Sequence, residues 1–256
     1  MLSNPSKDIG KKELDIYLRE LGKEYRKLAG KKNPAEIVLI GGGAILANYN
    51  FRTSTTDVDA IIHAASAMKE AINRVGDKYY LANRWLNEDF LRTVSYSPKI
   101  EEFSQFYRQY SNVLQVRTIK AEYIIAMKLR AGRKYKNDFS DIIGVLMEHE
   151  EKNERISYED INCAVINLYG SWNTITEEAQ TFLKDVLSCK NLAEKYAELR
   201  GSEGEMGLLL QGFEIDYSGV LNQSNVNDIL DILRRRKRET AEQKQVEKGE
   251  TYESDE

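Results

Sequence analysis

A glycine turn followed by two closely spaced aspartates constrains this chain more than any other stretch. An apolar run at residues 37–40 leads into three glycines at 41–43, and after a short spacer Asp57 and Asp59 flank a single valine. The pattern predicts a strand, a glycine turn with a short helix, and a second strand that carries both acids. Because side chains alternate along a strand, Asp57 and Asp59 should point to the same face.

These residue types together indicate a site for a phosphate and a divalent cation. Gly41, Gly42 and Gly43 leave backbone N–H groups accessible to a phosphate oxygen, and a helix that begins there adds partial positive charge. Two carboxylates side by side repel each other, and Mg²⁺ relieves that repulsion while it binds substrate phosphates. Neither feature is specific alone, because glycines often only form tight turns. The glycine spacing also lacks the pattern of a dinucleotide site or a P-loop.

A second set of charged residues lies farther along the chain. Lys128 belongs to a predicted helix that ends near Gly132, and a basic loop containing Arg133 then leads to Asp138 and Asp141. Two acids three residues apart share one face of a helix, so they could complete a site with Lys128. The alternative is an exposed basic loop before a helix whose first-turn acids favour the helix dipole.

Together the two sets resemble the nucleotidyltransferase superfamily, whose fold is shared with DNA polymerase beta. The family signature is an apolar residue, Gly-Gly or Gly-Ser, a spacer, and Asp-x-Asp or Asp-x-Glu set among apolar residues. Its counterparts here are Ile40, Gly41, Gly42, Asp57, Val58 and Asp59. The lysine helix, basic loop and acid pair are similar to elements of the abortive-infection type nucleotidyltransferase toxins and of uncharacterised bacterial relatives.

The resemblance implies a role for each of these residues. Asp57 and Asp59 would hold two Mg²⁺ ions that assist an in-line phosphoryl displacement. Lys128 would contact the triphosphate as a point charge. One of Asp138 and Asp141 would act as a general base, and the other would fix Lys128 or Arg133. The nucleotide-binding set would comprise Gly41, Gly42, Gly43, Arg52, Ser54, Thr55, Lys128 and Arg133.

One departure from the family pattern concerns a third carboxylate. Polymerase-beta-like enzymes usually carry it on a later strand, but the predicted strand here, at residues 112–118, offers Gln115 and no acid. Either Asp138 or Asp141 supplies that carboxylate from a helix, or metal binding is weaker than in the family.

The order of predicted elements favours an α/β (α+β) nucleotidyltransferase-like domain with a small mixed sheet, followed by an all-helical C-terminal domain. The predicted ranges are 1–147 for the first domain, 150–237 for the helical domain and 238–256 for a disordered charged tail. The strands are predicted at 36–40, 56–62, 91–96 and 112–118. Helices are predicted at 11–29, 44–48, 65–75, 192–199, 205–215 and 224–236, among others.

Composition bounds the location and the partners. The chain of 256 residues has a formal net charge of −4, so nucleic-acid binding would need a local basic patch. Two cysteines without a CxxC pair argue against structural zinc and against a disulfide framework. An apolar leader and an apolar run of membrane-spanning length are both missing, so we expect a cytoplasmic protein that does not contact a membrane.

Three functions are compatible with the sequence. The first is a Mg²⁺-dependent enzyme that transfers an NMP from an NTP to RNA such as a tRNA 3′ end, to a protein, or to a small molecule. By resemblance it could be the toxin of a bacterial toxin–antitoxin or phage-defence pair, with an antitoxin as partner. The second is a degenerate module that binds a nucleotide or a partner protein without turnover. The third is a nucleic-acid-binding protein that uses Arg130, Arg133, Lys134, Lys136 and the basic run at 234–238.

Overall fold

The protein is a mixed α/β structure with a small mixed sheet and several helices. The computed structural model describes residues 8–222 and 225–253, and for 240–253 it describes the backbone alone. The strands are β1 (Ile9–Gly10), β2 (Ala35–Leu39), β3 (Ser54–Thr55), β4 (Val58–His63), β5 (Leu86–Asn87), β6 (Ser104–Tyr110) and β7 (Leu114–Ile119). The helices are α1 (Lys11–Ala29), α2 (Gly41–Asn48), α3 (Ala67–Tyr79), α4 (Ala121–Ala131), α5 (Asp138–Glu151), α6 (Tyr158–Tyr169), α7 (Glu177–Leu187), α8 (Leu192–Asp216) and α9 (Val226–Glu253).

The main sheet has the strand order β5-β4-β2-β7-β6 within the described residues, and β1 pairs with β3 apart from it. The central strand β2 is apolar and almost wholly buried, runs antiparallel to β4 and runs parallel to β7. Leu39 pairs with Ala60, and the Ile40 N–H donates to the carbonyl of Asp59 at 2.9 Å. The end of β2 therefore meets the beginning of β4, and this register brings the glycine turn beside Asp59.

The chain forms two compact units. The first contains residues up to Gly132 together with Asp138–Tyr196, and it holds the sheet with α4, α5, α6 and α7. The second contains Arg133–Asn137 and the residues from Ala197 onward, around a small core of Met206, Leu210, Val226 and Leu230. In the described part of the chain, no helix combines the length and the apolar character needed to cross a membrane.

The units divide the chain differently from the predicted domains. The predicted boundary between 147 and 150 falls inside α5, whose apolar face is buried in the first unit. The predicted disordered tail begins at Arg238, but the described backbone is helical through Glu253, and residues 254–256 lie outside the described residues. An all-helical C-terminal domain of 150–237 therefore stays a prediction, since α6 and α7 belong to the first unit.

Some predicted elements have different bounds because packing outweighs local pattern. The glycines at 41–43 form the first turn of α2 instead of preceding it. Helix α3 continues past Gly76 to Tyr79, and it ends where Tyr80 adopts a left-handed backbone conformation. The predicted helices 192–199 and 205–215 are one helix, α8.

The predicted strand at 91–96 is wrong, because the structure has a 3₁₀ turn at Asp89–Arg92 that buries Phe90. The edge strand β6, by contrast, is missing from the sequence-based prediction. Its sequence is polar and mostly exposed, so it lacks the apolar alternation that indicates a half-buried strand.

Candidate functional site

The glycine turn and the two aspartates come together where β2 ends and β4 begins. Gly41 begins α2 with φ +53°, a left-handed conformation that favours glycine. A Cβ at Gly41 would lie 3.5 Å from Asp59 Oδ2, so the Asp59 carboxylate stands next to the turn. Asp57 is exposed, Val58 is buried and Asp59 is half-buried, which is the alternation expected of a strand that points both acids away from the core.

Gly42 is covered by two polar side chains. A Cβ there would lie 2.7 Å from Thr55 Oγ1 and 2.9 Å from Arg52 Nη2. The Thr55 hydroxyl donates to the carbonyl of Asp57 at 2.9 Å, and thereby links the turn to the acid pair. A side chain at this position would make the Thr55 hydroxyl or the Arg52 guanidinium shift.

Gly43 has a packing role in the structure. It is buried, and a Cβ there would approach Val58 Cγ1 to 3.0 Å. The close approach of α2 to β4 therefore accounts for this glycine, and its predicted part in nucleotide binding stays a prediction. Ser54, in β3, donates from its hydroxyl to Asp8 at 3.2 Å.

Arg52 connects the glycine turn to the second set of charged residues. Its Nη1 donates to Asp141 Oδ2 at 2.6 Å, and its Nε donates to the carbonyl of Ser54 at 3.0 Å. Lys128 Nζ lies 2.8 Å from the same Asp141 oxygen and 2.9 Å from Asp138 Oδ1. Two cations and two anions thus alternate in one buried network, Arg52–Asp141–Lys128–Asp138, which leads from Gly42 to the beginning of α5.

Burial sets the electrostatics of this network. The exposed fraction is 0% for Asp138 and 1% for Asp141. Burial by itself lowers the pKa of Lys128, but the carboxylates of Asp138 and Asp141 outweigh it, so the pKa of Lys128 is raised from its ordinary value. Lys128 is therefore a charged, paired lysine at neutral pH.

The network bears on two predicted roles. Lys128 is predicted to contact a triphosphate, but its ammonium group already lies between the carboxylates of Asp138 and Asp141. Asp141 separates it from Arg52. A general base must reach the proton that it abstracts, and Asp138 and Asp141 are buried and paired with Lys128. These contacts favour the role that was predicted for only one of the two acids, which is to fix Lys128, and both acids make that contact. Arg133 belongs to the second compact unit, so its predicted role at this site stays a prediction.

Strand β7 offers no carboxylate to the acid pair. Gln115 donates to Glu36 Oε2 at 2.7 Å, and Glu36 pairs in register with His63, at the opposite end of β4 from Asp59. Among the residues that the structure describes, no group of three or more His, Cys, Asp or Glu side chains is arranged to hold a metal ion. Metal binding at Asp57 and Asp59 stays a prediction.

A family model described as a nucleotidyltransferase of unknown function (DUF6036) matches residues 17–178, which is more than half of the chain. The chain belongs to this nucleotidyltransferase family. No curated protein and no solved structure matches the chain.

The matched span of the nucleotidyltransferase includes the glycine turn, the acid pair and the whole Arg52–Asp138 network. It ends at residue 178, whereas most of the second compact unit lies from Ala197 onward. The family assignment therefore applies to the first unit, and it leaves the role of α9 and of most of α8 open.

Sequence reasoning identified the members of the network but not their connections. The ion pair between Arg52 and Asp141 joins residues far apart in the chain, and a sequence pattern gives no distance between them. It also missed Glu148, a buried carboxylate on α5. The available signal was the spacing of Asp141, Gly144 and Glu148, which places an acid, a glycine and an acid on one face of a helix.

Proposed function

We propose that this nucleotidyltransferase transfers an NMP from an NTP to an acceptor hydroxyl, with Mg²⁺ bound at Asp57 and Asp59. The observation that carries the proposal is the set of groups around the glycine turn. The beginning of α2, the Arg52 guanidinium and the Asp59 carboxylate all adjoin Gly41 and Gly42. A phosphate-binding group and a candidate metal ligand therefore flank the same two glycines.

The phosphate-binding part of the proposal rests on donors. The first N–H groups of a helix have no intrahelical acceptor, and the helix dipole adds partial positive charge to them. Arg52 uses Nη1 and Nε for Asp141 and Ser54, while Nη2 is the atom that lies over Gly42. A phosphate oxygen at this turn would receive N–H groups from both the backbone and the guanidinium.

The acid pair fits a magnesium ion by its chemistry. Mg²⁺ is commonly bound by one or two carboxylates together with substrate phosphates and water. Asp57 is exposed and Asp59 is half-buried, so the acid pair lies near the protein surface. When bound, such an ion would neutralise charge on the phosphates and orient them for displacement.

The reaction would be a displacement at the α-phosphorus of the NTP. The acceptor oxygen forms a new bond to that phosphorus, the bond from phosphorus to the bridging oxygen breaks, and pyrophosphate leaves with the electron pair. The acceptor hydroxyl loses its proton to solvent or to a carboxylate at the site. In this scheme Arg52 and the backbone of Gly41 and Gly42 hold the phosphates, while Asp141, itself paired with Lys128, holds Arg52.

A label-transfer assay tests the proposal. The protein is incubated with each α-labelled NTP, Mg²⁺ and either total RNA or cell lysate. We expect transfer by the wild type and a loss of about a hundredfold or more in Asp57→Ala and Asp59→Ala, because phosphate charge is then not neutralised. Asp185→Ala is the matched control, since Asp185 is an exposed acid on α7. Transfer that persists in both site variants would refute the proposal.

The missing strand carboxylate favours a second candidate, a module that binds a nucleotide without turnover. Gln115 in β7 pairs with Glu36 and brings no acid to Asp59. Nucleotide binding without transfer to any acceptor tried would support this candidate. RNA binding that depends on salt but not on Asp57 or Asp59 would instead support a nucleic-acid-binding function.

The acceptor and the biological role are proposed on resemblance alone. An RNA such as a tRNA, a protein side chain or a small molecule could each provide the hydroxyl. A role as the toxin of a bacterial toxin–antitoxin or phage-defence pair would require that the labelled acceptor be essential for growth. Identification of the labelled species in the transfer assay distinguishes these acceptors.

A further inference from the structure

The segment that carries Arg52 is attached to one face of α5. Three α5 residues, Asp141, Gly144 and Glu148, follow one another at spacings of three and four, and so share that face. They contact the Arg52 segment, defined here as residues 49–52, in reverse order along the chain. Asp141 pairs with Arg52, and the Phe51 ring lies against Gly144. Glu148 accepts hydrogen bonds from the backbone N–H groups of Asn50 and Phe51.

Glu148 accepts two backbone hydrogen bonds with one carboxylate oxygen. The N–H groups of Asn50 and Phe51 both donate to Glu148 Oε1, the second at 2.9 Å. Glu148 is buried, with an exposed fraction of 6%. A buried carboxylate that binds two successive amides fixes the path of the backbone at those residues, and hydrogen bonds to a charged group are stronger than neutral ones.

Phe51 fixes the segment from a second direction. Its ring occupies the space that a side chain at Gly144 would need. The Tyr196 hydroxyl donates to the Phe51 carbonyl at 3.1 Å, and the two rings meet edge to face with centroids 5.9 Å apart. Lys11 donates to the carbonyl of Tyr49 at 3.0 Å. The residues immediately before Arg52 are therefore held on their backbone as well as on their side chains.

We propose that Glu148 is a positioning residue that holds the Asn50–Phe51 backbone so that the Arg52 guanidinium stands over Gly42. Glu148 is not assigned a contact with the nucleotide, and it acts through Arg52. This inference rests on the proposed function, because it gives the position of Arg52 a consequence for phosphate binding.

The test measures binding of each ribonucleoside triphosphate with Mg²⁺ by calorimetry. Glu148→Ala removes the acceptor, and Glu148→Asp shortens it by one methylene, which provides a milder variant should the alanine variant fail to fold. Both should weaken binding about fivefold or more. Glu148→Gln retains a carbonyl oxygen that accepts both amides in weaker, neutral hydrogen bonds, so it should weaken binding less than either of them. Glu151→Ala, an exposed acid of the same helix, is the matched control and should bind as the wild type does.

A double variant separates positioning from general stability. If Glu148 acts through Arg52, Glu148→Ala should cause no further loss of binding in an Arg52→Ala background, and the two effects should not add. Hydrogen exchange at the amides of Asn50 and Phe51 should increase in Glu148→Ala whether or not nucleotide is present.

Three results would overturn the inference. The first is wild-type binding by both Glu148→Ala and Glu148→Asp. The second is an additive loss in the double variant. In either case, a loss of binding in Arg52→Ala and Asp59→Ala would leave the proposed function intact. The third is a nucleotide affinity that neither Arg52→Ala nor Asp59→Ala changes, which would refute the proposed function together with the inference.

Discussion

At the scale of single residues, Lys128 has the most demanding environment in the site. Its ammonium group lies within 2.9 Å of two carboxylates that are almost completely buried. Removing one partner of a buried charge pair costs more than the pair itself contributes, because it leaves an uncompensated charge in a medium of low polarity. The stability of the first unit should therefore depend on Lys128 even if the lysine never contacts a substrate.

We expect Lys128→Met to lower the free energy of unfolding by about 3–5 kcal/mol, since Asp138 and Asp141 would lose their shared cation. Urea denaturation followed by circular dichroism measures the change. Lys69→Met, at an exposed position of α3, is the control and should stay within about 0.5 kcal/mol of the wild type. A Lys128→Met protein as stable as the wild type would contradict the buried ion network.

The same lysine predicts a dependence on alkaline pH. Because its pKa is raised in the folded state, its contribution to stability is fully present below the unfolded value of 10.5 and is lost as the pH rises through the folded value. The difference in unfolding free energy between wild type and Lys128→Met should therefore shrink as the pH rises above 10.5. A difference that is constant to about pH 12 would contradict the raised pKa.

At the scale of elements, the beginning of α6 shows how local sequence fixes a helix. Ser157 accepts from the backbone N–H of Asp160 at 3.2 Å, and Asp160 Oδ2 accepts from the Ser157 N–H at 2.8 Å. This reciprocal pair satisfies two backbone donors that would otherwise have no helical acceptor. The Ser157 hydroxyl also donates to Asp160, and these bonds lower the pKa of the Asp160 carboxyl.

Ser157→Ala should lower the free energy of unfolding by about 1 kcal/mol, the usual cost of removing a helix cap. Thermal unfolding at neutral pH measures it. Ser66→Ala is the matched control, because Ser66 occupies the same position before α3 but makes no side-chain capping bond. Since the Asp160 pKa is lowered, its contribution is present above 3.8 and is lost as the pH falls through the folded value, so the difference should shrink in acid. Equal losses in the two variants would contradict the capping role.

At the scale of the whole molecule, the two compact units have cores of very different size. The first unit buries most apolar residues of its central strands and of several helices, whereas the described core of the second consists of Met206, Leu210, Val226 and Leu230 with a few half-buried neighbours. A small core buries little apolar surface to offset the entropy of ordering α8 and α9. The second unit should therefore open locally at a lower free energy than the sheet.

Leu230→Ala should increase hydrogen exchange along residues 197–216 and 226–235 while leaving the amides of β2 unchanged. Removing this buried leucine costs about 2–5 kcal/mol, and that loss should fall on the second unit alone. Leu208→Ala, at a position of the same unit that is 69% exposed, should change exchange little. An equal increase in β2 would show that the two units unfold together.

Local pattern was sufficient for the elements that carry the acid pair. The apolar run before Gly41 and the alternation around Val58 predict β2 and β4, and both are present. The edge strand β6 and the continuous helix α8 could not be predicted in this way. An edge strand lacks the apolar alternation of a buried one, and the glycines of α8 resemble helix ends although the helix continues through them.

The sequence by itself was sufficient for the resemblance to nucleotidyltransferases, because glycines and an Asp-x-Asp pair at this spacing form a local motif. It also determined that Asp57 and Asp59 share a side, since alternation is a property of every strand. Only the tertiary structure decided how Lys128, Asp138 and Asp141 relate to the glycine turn. Arg52 makes that connection across residues distant in sequence, and α5 fixes Arg52 through Asp141, Gly144 and Glu148. Such contacts depend on packing between elements, which no local pattern encodes.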